Sequence, residues 1–184
     1  MSGAIVRGMC TLAEVPAASI VLSPRGAAKS AELAKDFPSY VTVAATNQEV
    51  VDSSDIVFIG VLPKQAEEVI RALSFTAQHT VVSLIATMPM AKVCEACAPV
   101  PAAQVLRVIP LPPVAKHSGA TVMTPAHPVV TSLFDQLGPC VPVESEAVMK
   151  KMMVVTCLMG QFYAQQRATQ QWLEQKGIGS EAAS

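Results

Sequence analysis

The sequence predicts an α/β, doubly wound fold on a mostly parallel sheet, and three observations predict it. Short runs rich in Val, Ile and Leu recur along the 184-residue chain and alternate with stretches whose apolar residues follow helical spacing. The runs "DIVFIGV" (55–61) and "TVVSLIA" (80–86) are apolar on both faces, the pattern of parallel strands covered by helices on each side. Helix starts stand where crossovers need them. Pro63 sits at a first-turn position after 55–61, and Thr46 with Glu49 spells a capping box after 40–44.

The elements follow in order. Ala4, Ile5, Val6, Met9, Cys10 and Leu12 make a helical stripe that begins almost at residue one and closes at Glu14, Val15 and Pro16. Strands are expected at 19–23, 40–44, 55–61, 80–86 and 104–110, with helices at 26–37, 46–54, 63–74 and near 89–97 between them. Beyond Pro110 the pattern changes to a strand at 120–125, a helix at 127–137 and a short strand at 139–144. One long helix is expected over 145–176. Its Val148, Met149, Met152, Met153, Val155, Thr156 and Met159 read as core or as a helix–helix interface. The expected division is an α/β domain over 1–144 and the start of a helical region over 145–184.

Composition narrows the function. Apolar residues make up 51% of the chain and mean hydropathy is +0.41, values that suggest surface intended for a partner or for further parts of the fold. The longest apolar runs fall well short of the roughly 18–20 residues of a membrane span. With 13 basic and 14 acidic residues the formal charge is −1, so neither nucleic acid nor an anionic bilayer is implied as a partner. Five cysteines, an odd number, with no signal peptide anatomy suggest reduced thiols and a cytoplasmic setting. Cys94 and Cys97 form a C-x-x-C, but no second pair completes a zinc site, and Glu95 between them opposes a thiolate. His79, His117 and His127 lack ligand spacing and are expected in loops or at the surface, so no metal is expected.

In a doubly wound sheet ligands bind at the carboxyl ends of the strands. The first such end carries Ser23, Pro24 and Arg25: a hydroxyl and a planar guanidinium suited to a 2′-phosphate, with no acidic residue of the kind that selects a free ribose hydroxyl.

The blocks "IVLSPRGAAKSAELAKDF", "TNQEVVDSSDIVFIGVLPKQAEEVI", "VVSLIATMPMAKV", "VLRVIPLPPVAKHSGATVMTP" and "LFDQLGPCVPVESEAVMKKMMVVTCLMG" fall in the order and spacing of the pyrroline-5-carboxylate reductases, which this chain resembles over nearly its whole length. The resemblance implies a Rossmann-like fold, NADP as cofactor, and reduction of a cyclic imine, a small-molecule substrate, in proline biosynthesis. It aligns Ser23 and Arg25 with the family's NADP-phosphate positions and Asn47 with an asparagine near the adenosine half. Gly60, Val61, Leu62 and Pro63 stand in the loop beside the nicotinamide ribose, and Ala86 at the border of the nicotinamide. No catalytic residue is assigned.

The chain also departs from the family pattern. Leu62 replaces a lysine, Pro110-Leu111-Pro112-Pro113 replaces Pro-Asn-Thr-Pro, and Met159 to Gln165 replaces a serine- and glycine-rich segment that holds the substrate carboxylate. "MSGAIVRGM" reads like the family's first helix, so the expected sheet lacks its first strand and the chain is expected to be truncated at both ends and a poor enzyme alone. The resemblance further implies a homo-oligomer formed through the 145–176 helix. A non-catalytic relative that binds nucleotide or a protein partner is the alternative. A flavodoxin-like module is disfavoured, because no acidic cluster or phosphate-nest sequence follows any strand.

Overall fold

The computed structural model describes residues 1–183. It divides into two compact units, Met1–Ser145 and Glu146–Ser184, and each is described by itself.

In the first unit two sheets stand where one was expected. Strands β1 (Ile20–Leu22) and β2 (Val41–Val43) pair in parallel, with Ile20 opposite Val41. Strands β3 (Ile56–Ile59), β4 (Thr80–Ser83), β5 (Val105–Pro110), β6 (Thr121–Thr124) and β7 (Cys140–Pro142) form a second sheet in that order. Only β5 and β6 run antiparallel.

No ladder joins β1 to β3. Ile20 donates its N–H to Tyr40 and Leu22 accepts from Ala44, so the intervening Val21 turns its backbone groups to the other edge. On β3, Asp55 and Ile59 accept from Thr80 and Leu84, which leaves Ile56 and Phe58 on the outer edge. The interruption falls between the outer edges of β1 and β3.

Helix α1 (Ser2–Cys10) spans this interruption on one face. Its Ile5 and Met9 pack with Val82, Leu106, Val108, Val114 and Phe134, while Val6 packs with Leu33 and Val41. Half-buried Ile20 belongs to both groups. Arg7 fastens α1 to α2 (Ala27–Asp36) through ion pairs with Glu32 and Asp36. The opposite face is covered by α3 (Asn47–Asp52), α4 (Pro63–Arg71) and α5 (Met90–Ala96), whose Val51, Ala66, Ile70 and Val93 pack on Val57, Ile59, Val81 and Val105. Helix α6 (Pro128–Gln136) returns to the α1 side through Val130, Leu133 and Phe134. Two layers of helix around a parallel-rich sheet confirm the doubly wound reading.

Close backbone contact sets the seat of α1. A Cβ on Gly8 would collide with the carbonyl oxygen of Val114, so only glycine lets the helix lie on the turn over 112–116. Gly138 lies at φ +135°, and a Cβ there would strike the backbone of Gly119.

The three histidines act as backbone caps. His117, in the left-handed region at φ 56°, places Nε2 2.8 Å from the Gly8 carbonyl near the end of α1. His127 Nδ1 accepts from Val130 N–H at the start of α6, at 3.4 Å. His79 Nδ1 accepts from Thr76 N–H at 3.0 Å. His79 is buried, which corrects the surface alternative for that residue: its ring lies edge-on to Phe75 and closes the turn before β4.

The second unit contains α7 (Glu146–Thr156), α8 (Leu158–Gln175) and α9 (Ser180–Ala183). The long helix expected over 145–176 is present with a one-residue interruption at Cys157, whose N–H bonds Val154 three residues back.

Candidate functional site

Strands β1 and β2 end side by side, and their loops bring three of the singled-out residues together. Pro24 opens a 3-10 turn (Pro24–Gly26) at its favoured first position, and Ser23 caps that turn by accepting from the Arg25 N–H at 3.2 Å. Ser23 donates to Asn47 Oδ1 at 2.6 Å across the two loops, and Ser30 fixes the Ser23 carbonyl at 2.9 Å. Asn47 is held by the capping box read from sequence: Thr46 Oγ1 accepts from Glu49 N–H at 3.1 Å. The Glu49 carboxylate reaches back to Ala45 N–H at 2.7 Å, one residue before the cap.

Beside this pair lies a cavity of about 220 Å³ lined by Arg25, Asn47, Gln48, Glu68, Val69, Ala72 and Leu73. Arg25 and Asn47 supply polar groups at one wall, and Val69 and Leu73 an apolar one. Gln48 closes it by exchanging two hydrogen bonds with the Ser74 backbone, at 2.8 and 3.0 Å. Sequence reading passed over Gln48 and Glu68, because the contact between α3 and α4 that creates the cavity is non-local.

The remaining singled-out residues follow the next two strands. Gly60 to Pro63 leave β3, with Pro63 as the first residue of α4, and half-buried Ala86 lies in the turn after β4. The start of α1 is also here: a Cβ on Gly60 would collide with Ser2 Oγ and would stand 3.5 Å from Leu84. Ala4 and Ile5 donate to the Met1 carbonyl, and the helix has no side-chain cap, so its first turn presents amide donors beside Gly60. Ser2 was not singled out from sequence. No hydrogen bond links Gly60–Pro63 or Ala86 to Ser23, Arg25 or Asn47 among the described residues.

A larger hollow of about 690 Å³ lies along α6 and is lined by His127, Thr131, Ser132, Asp135 and Pro142 among others. Its two titratable side chains already serve the fold: His127 caps α6, and Asp135 accepts from Cys140 N–H at 3.1 Å.

The cysteines are all free thiols, and no cluster of three or more potential metal ligands occurs among the described residues. Burial pushes the Cys97 thiol up to about 11, with the neighbouring Cys94 adding to it, and burial above all raises Cys140 to about 11. Neither is a nucleophile near neutral pH. Timed alkylation at pH 7.5 read by mass spectrometry is therefore expected to label exposed Cys157 first and Cys97 and Cys140 last. Early loss of Cys94 and Cys97 together would restore the dithiol reading.

Residues 1–87 match the family model described as NADP oxidoreductase, coenzyme F420-dependent. Among solved structures the chain is similar to the 1-pyrroline-5-carboxylate reductase of Streptococcus pyogenes, at TM-score 0.80 and 20% identity over 100% of this chain and 70% of that one. It is similar to the pyrroline-5-carboxylate reductase of Coxiella burnetii, at 0.77 and 21% over 99% and 70%. A third is the pyrroline carboxylate reductase of Plasmodium falciparum with NADP bound, at 0.76 and 13% over 98% and 68%. At these identities the likeness is one of fold, and the chain has a Rossmann-like fold. No curated protein matches the chain in sequence.

Proposed function

We propose that this protein is an NADP-dependent oxidoreductase that reduces a carbon–nitrogen double bond, as the pyrroline-5-carboxylate reductases do. The observation that carries the reading is the Ser23–Asn47 hydrogen bond with Arg25 on the wall of the adjoining cavity. That arrangement offers the Asn47 amide N–H and the Arg25 guanidinium to a phosphate on a ribose, and the Ser23 hydroxyl once its proton turns from Asn47 Oδ1 to the phosphate. The residues present fit such a cofactor: the cavity has an apolar wall for a base, and α1 begins beside Gly60, whose lack of a Cβ makes room for Ser2 in its first turn.

Bound NADPH supplies a hydride. The chain's own residues position it. Arg25 and Ser23 would hold the 2′-phosphate, with Asn47 keeping Ser23 in place until its hydroxyl turns to the phosphate, the first turn of α1 would direct amide donors towards the pyrophosphate, and the Gly60–Pro63 loop with Ala86 would border the nicotinamide end. One imine, one NADPH and one proton give one amine and one NADP⁺, with solvent as the source of the proton. Titration of the purified chain with NADPH and with NADH, followed by nicotinamide fluorescence, tests the reading: tighter binding of NADPH is expected, and no binding of either overturns it.

Self-association belongs to the same proposal. Met152, Val155, Met159, Phe162 and Tyr163 are exposed along α7 and α8, at three- and four-residue steps for the most part, and such a stripe suits a second copy of the chain. In sedimentation, the wild type is expected to be an oligomer and Met152→Glu to dissociate it by roughly tenfold or more in Kd, the scale of burying an uncompensated charge. A wild-type monomer would contradict this. Free cysteines throughout suit a reducing compartment such as the cytoplasm, and no helix among the described residues is long and apolar enough to cross a membrane.

A further inference from the structure

We infer that the substrate of this site is an imine without a carboxylate, carried on an apolar skeleton, and that Leu62 contributes to this preference. The inference rests on the cofactor reading above and deepens it. Strands β3, β4 and β5 are parallel neighbours, so the loops at their carboxyl ends, 60–63, 84–89 and 110–113, share one edge of the sheet. That edge is where a substrate would meet a nicotinamide bordered by Gly60–Pro63 and Ala86.

None of the three loops carries a charged side chain. They read Gly-Val-Leu-Pro, Leu-Ile-Ala-Thr-Met-Pro and Pro-Leu-Pro-Pro, and Thr87 supplies their single side-chain hydroxyl. Leu62 is 70% exposed, the most exposed large apolar side chain described, and it stands at the cap position of α4. Leu111 and Pro112 extend the apolar surface beyond β5. The first cation past the lip is Lys64, exposed in the opening turn of α4. An anionic substrate placed against this edge would lose water from its carboxylate without gaining a partner from these loops, whereas a neutral skeleton would cover Leu62 and gain by it.

The test uses two probes that share a ring, 2-methyl-1-pyrroline and 1-pyrroline-5-carboxylate, with the 184-residue chain saturated in NADPH. NADPH oxidation gives kcat/KM for each, and saturation-transfer NMR reports contact of each probe with the protein. The carboxylate-free probe is expected to be preferred by at least tenfold, with the stronger NMR contact. Leu62→Lys is expected to shift the ratio about tenfold towards the carboxylate, and Lys64→Met to leave it unchanged. Equal or greater preference for the carboxylate overturns the inference, as does contact by neither probe or a ratio that Lys64→Met moves and Leu62→Lys does not. NADPH binding is measured separately in the same samples, so its absence identifies a failure of the cofactor reading and its presence a failure of the substrate inference alone.

Discussion

Replacing Arg25 with alanine is expected to weaken NADPH binding by ~1–3 kcal/mol, a factor of roughly 5 to 150 in Kd, and to leave NADH nearly unchanged. The reason lies in how the turn is built. Arg25 reaches Ser23 only through its backbone N–H, so removing the guanidinium leaves the Ser23–Asn47 bond and the turn intact. What is lost is a charge-assisted contact that only a 2′-phosphate can use. Equal losses for the two cofactors would show that Arg25 serves the general anion charge of the dinucleotide, or the fold, and not selection between them. Ser23→Ala provides the complement, since it removes a hydroxyl that bonds both Asn47 and the Arg25 amide; its effect is expected on both binding and thermal stability.

Gly8→Ala is expected to destabilise the first unit by ~1–3 kcal/mol, read as a lower denaturation midpoint. One added methyl group meets the Val114 carbonyl oxygen, part of a backbone segment that cannot move aside as a flexible side chain would. The helix must lift, and with it Ile5 and Met9 from the cluster they share with Val82 and Leu106. Gly160→Ala is the counterpart: nothing lies within 4 Å of a Cβ at that position inside α8, so helix propensity alone acts, and a gain of ~0.5–1 kcal/mol is expected. If Gly8→Ala were neutral or stabilising, the close seat of α1 would not be a structural requirement.

These two cases also show what is legible in a sequence. Strands β3, β4 and β5 are legible because they are largely buried on both faces and so lose their polar alternation, and the capping box because its four residues act on one another. The Ser23-Pro24-Arg25 turn is legible for the same reason: Pro24 fixes its own φ and Ser23 bonds within two residues. Local chemistry leaves local marks.

The features that escaped are those made by approach from afar. Gly8 needs the turn at 112–116, Ser2 meets Gly60, and Gln48 seals its cavity through Ser74. Nothing near these residues in sequence announces the partner. Arg107, on which the sequence reading was silent, lies in the middle of β5 and is 1% exposed. His79 lies in the loop before β4, one of the two places expected for it, and its burial there depends on Phe75 and on that loop folding over it. The extent of strands was overestimated because apolar loop residues such as Leu84 and Ile85 continue the apolar run after ladder pairing has ended at Ser83.

The central claim is that the ends of β1 and β2 form a 2′-phosphate site. Titration of isotopically labelled protein with 2′,5′-ADP, followed by amide shifts, tests it without requiring turnover or an intact nicotinamide. The expected result is saturable shifts concentrated at Ser23, Arg25, Asn47 and Gln48, with 5′-ADP producing much weaker ones. Shifts of equal size with both nucleotides, or shifts confined to the hollow along α6, would contradict the account.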